Sequence, residues 1–309
     1  MFSIIIPLYN KEASIGATLR TVLGQTFPHF EVLVVNDGST DSSLSVVASF
    51  SDPRIRVLSK PNGGVSHARN YGIERAQHEY IAFLDADDLW EPNYLEEMNR
   101  LIQKYPDCGM YSCAYKCIKQ DKVLIERPNI PEGKLDDYFK AILINSKISW
   151  TSATVIRKEA FEKAGMFPVG MVSGEDSYMW CKTAIHYPVA FSNKILATYN
   201  LSMSQTHFRV AAPDHCQESW YDLYSEGEQY RNQFIASKAI ENGLRHAWGG
   251  HRKRSRLIEQ QFWFARKFND KNLQKRLKQL YYLNRLPRIA VRFLLVYKRL
   301  VTIYSYKYK

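Results

Sequence analysis

Three carboxylates stand close together in the run IAFLDADDLW (81–90), where four apolar or small residues lead straight into Asp85, Asp87 and Asp88. Burying unpaired charge is costly, so these acids belong where a strand emerges, facing water, a cation or a cationic ligand. Asp85 and Asp87, one residue apart, suit a hard divalent cation. Mg2+ or Mn2+ commonly takes one or two protein carboxylates and completes its shell with phosphate oxygens. The structural alternative is a helix N-cap, with Asp87 or Asp88 capping LWEPNYLEEMNRL.

Three further stretches carry candidate chemistry. In VNDGSTD (35–41), Asp37 can accept hydrogen bonds from the N–H edge of a base while Gly38 lets the backbone turn tightly. A strand-to-helix turn with an Asx cap accounts for the same residues. KPNGGVSHARN (60–70) is a Gly-Gly loop running into a helix, where backbone N–H groups and Arg69 can meet a phosphate or a base. It lacks the GxxxxGK[ST] spacing of a Walker loop. Glu175-Asp176 follows Gly174, far along the chain from the first acids. An aspartate set against a hydroxyl can act as general base, a role that contributes on the order of 10²–10⁴-fold. An acidic first helical turn is the alternative. His67, His78, His186, His207 and His215 follow no ligand spacing, and of these only His207 is retained as a further metal candidate.

The elements that must position these residues alternate in the first half of the chain. SIIIPL (3–8), FEVLVVND (30–37), RIRVLS (54–59) and EYIAFLDAD (79–87) read as strands. Between them, Ile15, Leu19, Val22 and Leu23 recur at helical spacing, STDSSLSVVASF (39–50) reads as a helix capped by Ser39 or Thr40, and SHARNYGIERA (66–76) as another. Such alternation predicts an α/β fold with a mostly parallel sheet, whose ligands bind beyond the carboxyl ends of the strands. The polar residues after each strand should therefore converge in one crevice. Residues 108–170 read as a mixed region with a hairpin around Lys119-Gln120-Asp121 and a helix near 135–146, and 170–187 as a Gly-led loop before an amphipathic helix. From about 216 onward the chain reads as helical.

Composition bounds the rest. At 309 residues and 45% hydrophobic content the chain supports a full core. Five cysteines without paired CxxC spacing favour neither a zinc site nor a disulfide framework, which points to a reducing compartment. Met1-Phe2-Ser3 runs directly into a strand, so no signal peptide is expected, and no apolar run reaches the length of about 18 residues that a membrane span needs. Charge is lopsided: residues 245–309 carry 18 Lys/Arg against Glu259 and Asp270, a local net of +16, which leaves residues 1–244 at −5. Two bodies are expected, 1–215 and a basic helical region 216–309.

Taken in order, IIIPLYNKE (4–12), VLVVNDGSTD (32–41), NGGVSHARNYGI (62–73), YIAFLDADD (80–88) and GEDSYMW (174–180) resemble the family-2 inverting glycosyltransferases of GT-A fold. The resemblance covers residues 1 to about 205. It implies a Rossmann-like, mixed but mostly parallel central sheet flanked by helices, a nucleotide-sugar donor, often a UDP-sugar, and Mn2+ or Mg2+ as cofactor. By the same resemblance Pro7, Tyr9, Glu12, Asp37, Asn62 and Arg69 line the donor nucleotide site, with Asp85 near the ribose or the metal and Asp87 on the metal. Asp176 looks like the catalytic base, and Trp150 and Glu175 are candidate acceptor or sugar contacts. The implied acceptor is a glycan or lipid-linked glycan of surface polysaccharide synthesis. No QxxRW-like signature of processive polymerases follows, which favours a single addition per acceptor, and the Met- and Val-rich loop GMFPVGMVSGED departs from the more polar loop of many relatives.

LPRIAVRFLLVYKRLVTIY (286–304) interleaves Arg288, Arg292, Lys298 and Arg299 with apolar and aromatic residues. Such a helix suits a membrane interface, its cations against anionic headgroups, and implies a cytoplasmic enzyme peripheral on the inner face of the cell membrane. A solvated bundle with a basic face is the alternative. Nucleic-acid binding through the basic, aromatic-rich region is a competing class, but the N-terminal motifs give no reason for it and no nucleic-acid partner is expected. Nucleotidyl transfer lacks its Gly-rich, Arg/Lys-containing first loop, and a non-catalytic sugar-nucleotide binder is disfavoured by the presence together of Asp85, Asp87 and Asp176.

Overall fold

The structure is a computed structural model describing residues 1–119, 122–126, 128–145, 147–171, 173–201, 216–291 and 293–294. The chain divides into two compact units, Met1–Phe208 and Arg209–Lys309. Residues 202–215, which lead up to the boundary expected from composition, lie outside the described residues.

The first unit alternates as its apolar runs require: β1 (Phe2–Leu8), α1 (Ile15–Leu23), β2 (Phe30–Asn36), α2 (Ser43–Ala48), β3 (Ile55–Ser59), α3 (Val65–Arg75) and β4 (Tyr80–Phe83). Then follow β5 (Leu89–Trp90), α4 (Tyr94–Lys104), β6 (Met110–Lys119), β7 (Lys122–Glu126), β8 (Gly133–Lys134) and α5 (Tyr138–Ile144). A 3-10 turn at Thr151–Ala153 leads into β9 (Thr154–Arg157), α6 (Ala160–Ala164), α7 (Glu175–His186) and β10 (Val189–Asn200). One sheet results, in the order β3-β2-β1-β4-β9-β6-β10-β5, with β7 on β6 and β8 on β10. β3, β2, β1 and β4 are mutually parallel, β9 enters antiparallel between β4 and β6, and β6 and β10 run parallel. The continuous apolar strands β1 and β2 are covered on both faces, and Phe2, Ile4, Ile6, Val32 and Val34 form one core with Leu19 and Val22 of α1. Sheets buried on both faces read as such unbroken apolar runs.

Two expectations are corrected. α2 starts at Ser43 and not at Ser39 or Thr40, because the Ser39 and Thr40 N–H groups donate to the side chains of Asn36 and Asn10, at 2.9 and 2.8 Å, outside any helix. The acids do not cap α4 either: Leu89 and Trp90 form β5 against β10, and the helix begins only at Tyr94, after Asn93.

The second unit is helical: a 3-10 turn at Trp220–Leu223, α8 (Gln229–Trp248), α9 (Arg252–Gln261), a 3-10 turn at Trp263–Lys267 and α10 (Lys271–Arg285). α8 packs against α9 and α10, burying Phe234, Ile235, Ile240, Leu273, Leu277 and Leu280. Between α9 and α10, Asn284 accepts from the Ser255 hydroxyl at 2.6 Å and donates to Glu259 at 2.7 Å, a buried polar pairing in which each group finds a partner. Of the amphipathic segment 286–304, residues 288–291 and 293–294 are helical, with Ile289 and Phe293 exposed, while 292 and 295–304 lie outside the described residues. Among the described residues no helix is long and apolar enough to cross a membrane.

Candidate active site

The loops after β1 and β2 are stitched together by side chains that stop in turns. Asn10 takes a left-handed conformation (φ 51°), its amide oxygen accepts from Thr40 N–H, and its own N–H donates to Ser39 Oγ at 3.2 Å. Asn tolerates that region because its short polar side chain bonds locally. Glu12 Oε2 accepts from Ser42 N–H at 2.8 Å, while Pro7 is half-buried in β1 and Tyr9 is exposed at its end.

Asp37 closes β2 and is buried. Its two carboxylate oxygens accept from Gly63 N–H at 2.9 Å and Gly64 N–H at 2.8 Å, and the Lys60 ammonium pairs with it. Asn62 Nδ2 donates back to the Asp37 carbonyl at 2.9 Å. Gly38 next to it has φ 77°, and a Cβ there would meet Asn62 N at 3.0 Å, so the close approach of the two loops requires glycine. Asp37 and Asn62, expected against a base, thus bind the Gly-Gly loop to the sheet, with only one edge of the carboxylate left for a ligand.

Arg69 of α3 is 2% exposed and bridges the site. Its Nη2 donates to Asp85 Oδ1 at 2.9 Å and its Nη1 to Glu175 Oε1 at 3.4 Å, with the guanidinium 5.3 Å from the centroid of the Phe167 ring. Burial opposes its charge, but Asp85, Glu175 and Asp176 outweigh that and hold its pKa above the ordinary arginine value. α3, the end of β4 and the first turn of α7 are therefore tied at one cation, although Arg69 and Glu175 stand 106 residues apart. Those ties engage two of its nitrogens and leave Nε without a partner among the described residues.

The acids of the opening run split into three roles. Asp88 is fully buried and accepts from Ser152 Oγ at 2.5 Å, Trp150 Nε1 at 3.3 Å and Asn200 N–H at 3.1 Å; it fastens β10 and the 3-10 turn to the end of β4. Burial, then Asp85 and Asp87, push its carboxyl well above the usual range. Asp85, partly open to solvent, takes Arg69, and its N–H donates to Ser152 Oγ at 3.0 Å. Asp87 Oδ2 pairs with Lys11 Nζ at 2.6 Å. Burial and the nearby Asp85 charge raise the Asp87 pKa, with Lys11 opposing them. Asp85 and Asp87, two hard oxygen donors in a site with surplus negative charge, fit a divalent cation bound jointly with a ligand's phosphates. Two carboxylates alone make no complete cage, and among the described residues no group of three or more His, Cys, Asp or Glu is gathered at a metal site.

Asp176 lies in the first turn of α7, where Oδ2 accepts from Thr151 Oγ1 at 3.2 Å and Oδ1 from Ser177 N–H at 2.6 Å. Trp150 of the adjoining turn is half-buried, its ring 4.2 Å from Tyr199 and 5.8 Å from Tyr115 between centroids. His207 lies outside the described residues. Sequence reasoning left out Lys11 and Ser152. Lys11 had a signal, a cation directly after PLYN; Ser152, 67 residues from Asp85, had none.

The arrangement is an α/β domain whose candidate site lies at the carboxyl ends of parallel strands, where such folds bind their ligands. Residues 3–165 match Glycosyl transferase family 2, which is more than half of the 309-residue chain; the chain belongs to this family and is a glycosyltransferase of GT-A fold. It is 29% identical over 247 residues to the uncharacterized glycosyltransferase alr2836 of Nostoc sp., covering 75% of each chain. It is 32% identical over 210 residues to WfgD of Escherichia coli, a UDP-Glc:alpha-D-GlcNAc-diphosphoundecaprenol beta-1,3-glucosyltransferase, over 66% of this chain and 78% of that one. Against several Rickettsia relatives the match takes in 29% to 65% of the relative's own length. The fold is also that of S. aureus TarS 1-349, solved in complex with UDP-GlcNAc: TM-score 0.59 and 21% identity over 90% of this chain and 79% of that one.

Proposed function

We propose that the protein is a metal-dependent, inverting glycosyltransferase that moves a hexose or N-acetylhexosamine from a UDP-sugar to a hydroxyl of a glycan or lipid-linked glycan in surface polysaccharide synthesis. The observation that carries this reading is the Arg69 bridge, which brings the acids at the end of β4 and the first turn of α7 into one site. Donor-side and acceptor-side chemistry then share a crevice. The UDP-sugar and the lipid-linked acceptor are supported by what WfgD is named for and by the UDP-GlcNAc held by TarS.

The uridine lies across the ends of β1 and β2, among Pro7, Tyr9, Glu12, Asp37, Asn62 and Arg69. Asp85 and Asp87 would hold Mn2+ or Mg2+, which when bound would supply positive charge against the leaving diphosphate in place of a protein acid. Asp176 takes the proton of the acceptor hydroxyl, the freed oxygen bonds to the anomeric carbon, and the bond from that carbon to the diphosphate breaks on the opposite face. One base suffices, in contrast to the carboxylate pair of a glycosidase. Thr151 Oγ1 and Ser177 N–H hold the Asp176 carboxylate in orientation, and Trp150 and Glu175 border the sugar and acceptor.

Incubating the protein with single UDP-sugars, Mn2+ and a lipid-linked monosaccharide tests the reading. UDP release together with a product of inverted anomeric configuration by NMR is expected; retained configuration rules out the single-displacement scheme.

A further inference from the structure

Lys11 has no part in that scheme, yet it is built into the site. Its carbonyl accepts from Ser14 and Ile15 N–H, both at 3.0 Å, and its N–H donates to Ser43 Oγ at 2.8 Å, so its backbone is fixed at the start of α1. From there the side chain reaches Asp87, 76 residues away, and the pair is largely withdrawn from water, the two side chains being 19% and 10% exposed. Surface ion pairs contribute little, but one held at 2.6 Å against a buried carboxylate neutralises a charge that burial would otherwise penalise. The ammonium occupies Asp87 Oδ2, and a divalent cation on either oxygen of that carboxylate would stand within a few ångström of it. Two cations cannot share it in so dry a place without strong repulsion.

We propose that Lys11 is a placeholder cation. It neutralises Asp87 until the donor arrives, then swings its flexible stem to the donor diphosphate and frees Asp87 for the metal. A compact ammonium on four carbons suits both partners, carboxylate and phosphate. Metal and diphosphate binding are thereby coupled, each strengthening the other by the same factor. The inference rests on the donor site proposed above, and it predicts that the two carboxylates take up a metal only weakly without substrate.

The test is Mn2+ binding followed by the EPR signal of free Mn2+, with and without saturating UDP, on the full-length protein, Lys11→Met and Lys11→Arg. UDP affinity is measured alongside by calorimetry in EDTA. Wild type should bind Mn2+ roughly 5-fold or more tightly with UDP than without. Lys11→Met should bind Mn2+ alone several-fold more tightly than wild type, show a smaller enhancement by UDP, and bind UDP in EDTA more weakly. Lys11→Arg should restore the weak binding of Mn2+ alone and serves as the folded control. If Lys11→Met leaves Mn2+ affinity without UDP unchanged or lowers it, while wild type binds both ligands, the placeholder role is wrong and the donor site stands. If wild type binds neither Mn2+ nor UDP, both are wrong.

Discussion

Arg69 Nη2 donates to Asp85 Oδ1 at 2.9 Å, an ion pair between a buried guanidinium and a partly open carboxylate that fastens the middle of α3 to the end of β4. The same guanidinium reaches Glu175 at the start of α7. Breaking a buried pair from one side leaves an uncompensated charge.

Arg69→Gln should therefore cost about 1.5–3 kcal/mol of unfolding free energy, the worth of hydrogen bonds to charged groups, measured by urea denaturation. Arg69→Lys keeps the charge but not the fork, and should cost less. A loss within about 0.5 kcal/mol for Arg69→Gln, the range of an ordinary surface change, would mean that the bridge does not hold these elements.

Asp176→Asn should lower the transfer rate on the order of 10²–10⁴-fold while leaving donor binding intact, since its role concerns only the acceptor proton. Thr151→Val, which removes the hydroxyl 3.2 Å from Asp176, should slow transfer by about one hydrogen bond's worth, roughly 5-fold. Steady-state rates on a fixed acceptor, paired with calorimetry for the donor, check both.

Glu97 of α4 gives a pH dependence remote from the site. Burial would raise its pKa, but bonds from Arg100, Lys194 and Ser192 outweigh that and hold it at about 2, below the ordinary 4.5. A lowered carboxyl pKa contributes stability that is fully present above the unfolded value and is lost as pH falls from about 4.5 towards 2. Melting temperatures of wild type and Glu97→Gln should differ at pH 7 and converge across that window; a constant difference contradicts the assignment.

The basic C-terminal region should bring the protein to anionic vesicles in flotation assays at low salt, and less so at high salt, since each cation near such a surface is worth about 1 kcal/mol. Removing residues 286–309 should weaken binding. Preference for duplex DNA over anionic vesicles would favour the nucleic-acid class instead.

How much of this was legible before the structure depends on the range over which each feature is encoded. β1 to β4 are local: their continuous apolar runs declare strands of a parallel sheet, although Pro7 lies inside β1 and does not end it, and the acids after β4 declare a strand end. β10 was missed although it is the longest strand described. Ser192, Asn193 and Lys194 interrupt its apolar run, and its register against β6 shifts between Ser192 and Ile195 and again before Ala197, which destroys the period of two. The start of α2 was misjudged because Asn10, 30 residues upstream, captures Thr40. Within the site, residue types pointed to Asp85, Asp87 and Asp176, but Lys11 on Asp87 and Ser152 on Asp85 arrive through contacts 76 and 67 residues apart in sequence, and Thr151 reaches Asp176 across 25. Chain periodicity carries no trace of such pairs.

The measurement that bears most directly on the proposed donor site is a thermal-shift screen of wild type, Asp87→Ala and Asp176→Ala against UDP-, GDP-, TDP- and CMP-sugars, each with Mn2+ and with EDTA. A ligand bound only by the folded state raises the melting temperature by mass action. One UDP-sugar should stabilise wild type and Asp176→Ala with Mn2+, but neither wild type in EDTA nor Asp87→Ala. Stabilisation that persists in EDTA and in Asp87→Ala, or no stabilisation by any nucleotide sugar, would contradict a metal-assisted donor site at the end of β4.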